Sequence, residues 1–114
     1  MDSGTIIKRL ALIYFLFFSI VNSAGAFTMV GDVECGTWVK DRLNPESIEA
    51  YVHNFWIMGF ISGLASAKNV DILLDANNDS IFLYVDNYCK TNPLSDLGEA
   101  GSSLFFALKR KKGL

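Results

Sequence analysis

The sequence predicts an all-α fold: a small four-helix bundle with one disulfide, following a cleaved signal peptide. Three observations predict it. A short apolar run follows two basic residues near the N-terminus. The apolar residues beyond it recur at helical spacing, with no alternating run that carries hairpin chemistry. The chain also holds only two cysteines, set far apart. A length of 114 residues leaves room for one domain.

Lys8 and Arg9 precede Leu10-Ala-Leu-Ile-Tyr-Phe-Leu-Phe-Phe-Ser-Ile-Val21, twelve residues without a charge, and Asn22-Ser-Ala-Gly-Ala26 follows. Basic residues, a short apolar run and Ala24-x-Ala26, in that order, make a secretory signal cleaved after Ala26. The expected organisation is therefore a signal peptide at residues 1–26 and a single helical domain at residues 27–114, in the periplasm or secreted. A retained anchor is the competing reading. The apolar run is short against the roughly 20 residues of a bilayer span, so no stable membrane span is expected after cleavage.

The whole chain has a formal charge of −2, and residues 27–114 hold eight basic against eleven acidic residues, or −3. Half of those basic residues sit in Lys109-Arg110-Lys111-Lys112. No basic face accompanies this run, which argues against nucleic acid as a partner. Cations at the end of a helix complement its macrodipole and keep it solvated.

An exported chain meets an oxidising environment, so Cys35 and Cys89 are expected to form a disulfide. Catalysis by either thiolate would need a base, and His53 is the only histidine. Two Cys and one His at these spacings match no zinc pattern.

The first helix of the domain follows Gly31-Asp32, carries Cys35, Trp38, Val39 and Leu43 on one broad face, and ends before Asn44-Pro45. The second starts there, with Asn44 as N-cap and Pro45 at the first helical position, and runs to about Lys68. Ile48, Val52, Phe55, Trp56, Gly59, Phe60, Gly63 and Leu64 form its wide stripe, and Ile57, Met58 and Ile61 extend apolar character around the back. A helix apolar nearly all round is expected to be central and buried. Gly59, Gly63 and Ala67 form a ridge of small residues that admits a close helix neighbour, with an exposed partner-binding face as the alternative.

The third helix, capped by Asn78 or Asp79, places Ile81, Phe82, Val85, Tyr88 and Cys89 on one side, so Cys89 points inward. The fourth begins at Asn92-Pro93 with the stripe Leu94, Leu97, Gly101, Leu104, Phe105 and Leu108. Phe106 falls off that stripe. Gly98 and Gly101 each cost about 1 kcal/mol against Ala in a helix, which suggests close packing.

Asp75-x-Asn77-x-Asp79, with Asp86 at position twelve, imitates a calcium loop but has Ser80 where Gly makes the turn and Asp where a bidentate Glu is usual. No metal or cofactor is expected. No phosphate cradle, Ser-His-Asp set or compelling carboxylate pair is present, so the chain is not expected to be an enzyme and no catalytic residue is assigned.

The segment Tyr88-Cys89-Lys90-x-Asn92-Pro93-x-x-x-Leu97, together with the signal segment and the two distant cysteines, resembles the small periplasmic HdeA/HdeB-type proteins. That resemblance implies a Cys35–Cys89 bridge and an acid-stress chaperone that loosens or dissociates on acidification and holds unfolding clients. Cys35-Gly36-x-Trp38 and Trp56-x-x-Gly59-Phe60-x-Ser62-Gly63 depart from that pattern. The Gly-Phe-x-x-Gly helix followed by a Cys-bearing helix is also similar to periplasmic immunity proteins against type VI amidase effectors, which implies binding to a toxin's cleft and a homodimer.

The function expected is thus non-catalytic protein binding, either as a chaperone-like acid-stress protein or as an immunity or inhibitor protein. Protonation of the acidic residues would leave the basic ones unopposed and loosen the bundle, exposing Trp38, Phe55, Trp56 and Phe60. Trp38, Trp56, Phe60 and Phe106 are the candidate partner-binding residues.

Overall fold

The computed structural model describes residues 2–18 and 28–114, and they are all-helical: α1 (Ser3–Phe18), α2 (Cys35–Asp41), α3 (Ile48–Ala67), α4 (Asn78–Thr91) and α5 (Leu97–Lys111). Helix α1 takes in Lys8, Arg9 and much of the apolar run, and its side chains are exposed through Phe15. The expected cleavage site at Ala24-x-Ala26 lies outside the described residues.

The four helices expected in residues 27–114 are present as α2 to α5, but α3 and α5 begin later than the Asn-Pro signals suggest, and α4 begins slightly earlier than the Asn-Asp signal does. Ser47, not Asn44, caps α3, its Oγ accepting from the Ala50 amide at 3.1 Å. Asp96, not Asn92, caps α5, accepting from the Glu99 amide at 2.8 Å. Asn77, rather than Asn78 or Asp79, caps α4 through the Ser80 amide at 2.7 Å. The reason is shared by the first two. Asn44-Pro45-Glu46-Ser47 and Asn92-Pro93-Leu94-Ser95 each close a turn, the Ser amide donating to the Asn carbonyl at 3.1 Å in both. Proline at the second position presets that turn, and the helix starts only after it. Leu43 and Leu94, expected on buried stripes, fall in or beside these turns and are exposed.

Helix α3 ends in a Schellman motif. Asn69 takes the left-handed conformation at φ 52°, its amide donates to Ser66 and the Val70 amide donates to Ala65. Gly113 ends α5 in the same way, at φ 69°.

Helix α5 packs on α3 and α4, while the two-turn α2 lies against α4 and α3. One core cluster joins Cys35, Trp38, Ile57, Val85, Cys89, Leu97 and Ala100; the other joins Ile61, Ile72, Ile81, Leu104 and Phe105. The disulfide Cys35–Cys89 lies in the first, both residues buried and their Cα atoms 4.9 Å apart. Ile72, from the connection between α3 and α4, is fully buried. The segment before α2 is tied to the start of α5: Cys35 donates its amide to the Ser95 carbonyl at 2.9 Å, and Leu97 donates to Val33 at 3.0 Å.

Close packing explains Gly101, where a Cβ would lie 2.6 Å from Phe60 Cδ1, while a Cβ on Gly98 would meet the flexible end of the Met29 side chain. The ridge on α3 is different. Among the described residues nothing lies within 4 Å of a Cβ built on Gly59 or Gly63, so no described helix packs on that ridge there.

Candidate protein-binding face

Helix α3 buries the side opposite to the one its stripe suggests. Ala50, Ile57 and Ile61 face the core. Ile48, Val52 and Phe55 are 77%, 55% and 68% exposed, and Tyr51 is exposed beside them. The expectation of a buried central helix is therefore corrected for half of its circumference. The physical reason is that α5 offers Gly101 to Phe60 and Ile57, which draws that side of α3 inward. At about 100° per residue, Ile48, Val52, Phe55, Gly59, Ser62 and Ser66 fall within a sector of about 80°. All six are exposed, and residues 50–67 contain no Asp, Glu, Lys or Arg. The sequence signal for this face is the 4-3-4-3-4 spacing of those positions, which apolar residues on the other sides of the helix mask.

Beside this strip lies an open groove of about 380 Å³ lined by Met29, Val30, Phe55, Trp56, Gly59 and Phe60. Trp56 donates its indole N–H to the Val30 carbonyl at 2.7 Å, and its ring stacks on Phe60 with centroids 5.2 Å apart. Gly31, at φ 78°, lets the chain pass the Trp56 ring, where a Cβ would come within 2.9 Å.

The four candidate residues thus separate. Trp56 and Phe60 are half-buried and line the groove, and Phe106 is about half exposed on α5 with its ring edge-on to Phe105. Trp38 is 1% exposed and is not a surface residue. Its indole N–H donates to Asp86 Oδ1 at 2.7 Å, Arg42 Nε lies 3.0 Å from the same oxygen, and the Arg42 guanidinium sits over the Trp38 and Phe82 rings. This arrangement joins α4 to α2 and its C-cap. His53 Nδ1 meets the Asp41 carboxylate, joining α3 to α2. The neighbouring Asn54 Oδ1 is buried without a partner.

Asp86 therefore serves a core tryptophan, and Asn77 caps a helix, so the calcium-like spacing is spent on structure. Among the described residues no cluster of three metal-ligating side chains and no free cysteine is present. No described helix is long and apolar enough to cross a membrane. The basic tail completes the last turn of α5, and Lys112 Nζ donates to the Leu74 carbonyl at 2.6 Å.

At the start of α5, Asp32 Oδ1 accepts from the Gly98 amide at 3.1 Å. Burial pushes the Asp32 carboxyl up, and the nearby Asp96 charge pushes the same way, against the lowering effect of the amide bond.

Comparison with protein-family models, curated proteins and solved structures finds no match to this chain.

Proposed function

We propose that the chain is an exported four-helix bundle, freed of a signal peptide, that works by binding protein and not by catalysis. The observation that carries this reading is the uncovered apolar face of α3. Exposed apolar patches rimmed by polar residues mark interaction sites in folded domains.

Chaperone-like holding of unfolding clients under acid stress is the first form of that function. Two ties that close α2 over the core end on carboxylates: Asp86 with Trp38 and Arg42, and Asp41 with His53. Loss of these ties would loosen α2 and uncover Trp38 as added client surface, beside the groove that Trp56 and Phe60 already line. An immunity or inhibitor protein is the second form. It is favoured by the fact that the α3 face stands open in the folded chain and needs no loosening to meet a folded toxin or hydrolase.

Aggregation of an unfolding client, followed with ANS binding from neutral to strongly acid pH, separates the two. Client protection and ANS binding that rise together in acid support the chaperone. Neutral-pH capture of a folded hydrolase, lost in Phe55→Ser, supports the inhibitor. A chain that binds neither at any pH removes the protein-binding reading.

A further inference from the structure

We infer that Met29–Asp32 is a hinged strap closing the groove beside α3, and that its outward swing about Gly31 and Asp32 opens an apolar seat between α3 and α5 to a partner's side chain. The inference rests on the reading of this chain as a protein binder, and it gives that site a gate.

Three contacts fasten the strap. Trp56 donates its indole N–H to the Val30 carbonyl at 2.7 Å, Asp32 Oδ1 accepts from the Gly98 amide at 3.1 Å, and the end of the Met29 side chain lies over Gly98. Each of them involves a side chain. The chain that follows is held by its backbone: Leu97 donates to the Val33 carbonyl, Cys35 donates to the Ser95 carbonyl, and Cys35 is covalently bridged to Cys89. The border between detachable and fixed chain therefore falls between Asp32 and Val33.

Opening the strap gives up little burial of its own. Met29, Val30 and Gly31 are already exposed, and no strap residue belongs to either core cluster. Segments with few buried apolar contacts open far more readily than the whole fold. Gly31, at φ 78°, supplies the bend between the two hydrogen-bonded fastenings.

Beneath the strap more is at stake. Gly98 is buried with Met29 and Asp32 against it, and Met29 shares the groove with Trp56 and Phe60. Swinging the strap away joins the α3 groove to the start of α5, where Gly98 has no side chain to fill the space.

Carboxyl groups meet at the latch. Asp96, the N-cap of α5, is the charged group acting on Asp32, and the Gly98 and Val33 amides hydrogen-bond it. Among the described residues no cation acts on Asp32. Burial and the Asp96 charge together outweigh the amides and push Asp32 up, so the closed strap holds the proton more tightly than the open one. The strap is firmest in acid and loosens as pH rises through the raised value, which suits capture of a folded partner at neutral pH.

Hydrogen exchange of the folded chain, followed site by site by NMR, tests this with no partner present. Protection of the Gly98 amide and of the Trp56 indole N–H should be about equal, and at least about tenfold below that of the Leu97 and Cys35 amides. Trp56→Phe keeps an aromatic ring against Phe60 but removes the Val30 fastening, so Gly98 protection should fall several-fold. Asp96→Asn keeps a capping oxygen and removes the charge; Gly98 protection should rise several-fold at neutral pH and change little in acid. ANS fluorescence at neutral pH reads the seat, rising several-fold in Trp56→Phe and falling in Asp96→Asn. Circular dichroism and an intact Cys35–Cys89 bridge by mass establish that each variant is folded.

Gly98 and Trp56 sites that exchange as slowly as Leu97 and Cys35 overturn the inference, as does Gly98 protection unmoved by Trp56→Phe. A strap that opens with no change in ANS binding overturns the seat beneath it. A chain with the expected exchange and ANS pattern that captures neither a client nor a hydrolase upholds the strap and removes the protein-binding reading instead.

Discussion

Gly101 on α5 lies against the Phe60 ring of α3 so closely that a Cβ there would sit 2.6 Å from Cδ1. Ile57 Cδ1 closes the same spot at 3.0 Å. This contact fixes how deeply α3 and α5 interlock, and it decides which side of α3 is left outside.

Glycine-to-alanine changes should therefore split by sign. Gly101→Ala should destabilise the fold by about 1–3 kcal/mol, since overpacking outweighs the gain in helix propensity. Gly63→Ala, in open space, should stabilise the isolated chain by about 0.5–1 kcal/mol. Urea unfolding at dilute protein measures both, and equal shifts would contradict the packing described.

The Cys35–Cys89 bridge closes a sequence separation of 54 residues. Its reduction, or the paired change to Ala, should cost about 4 kcal/mol in the chain-entropy model. Thermal unfolding with and without reductant reads this, and an unchanged midpoint would exclude a structural role for the staple.

Asp86 accepts the indole N–H of a fully buried Trp38. Asp86→Ala leaves that donor unpaired and should cost about 1–3 kcal/mol. Asp86→Asn keeps an acceptor in place and should cost less. Unfolding midpoints and tryptophan fluorescence distinguish the two variants.

Asp32 sets a pH dependence opposite to acid loosening. Its carboxyl is raised in the folded chain, so the folded state holds the proton more tightly than the unfolded state does. Its stability contribution is complete below the ordinary carboxyl range and is lost as pH rises through the raised value. Asp32→Asn should remove this slope while keeping an oxygen for the Gly98 amide. Unfolding midpoints of both proteins across the acid range check the sign; a native chain that weakens steadily through that window as pH falls, in parallel with the variant, would contradict it.

Helix number and the inward direction of Cys89 were legible because α4 and α5 carry apolar residues on one side only, and the two Asn-Pro-x-Ser segments interrupt the chain at its corners. Their caps were misplaced by one turn because a proline turn and a helix start look alike until the capping oxygen is seen to reach its amide. Ile72 was missed because one buried residue in a connection has no period.

By itself the sequence determined an all-helical chain with two cysteines in position to meet, since period, proline and helix stripe are local properties. Only tertiary structure decided the outward side of α3. That helix is apolar around its whole circumference, so hydrophobicity alone selects no side, and the choice fell to steric fit. Gly101 admits Phe60 and Ile57, and Trp56 is tied to the Val30 carbonyl. Once those contacts form, Ile48, Val52 and Phe55 are turned outward, because a straight helix cannot bury both of its sides against one neighbouring layer.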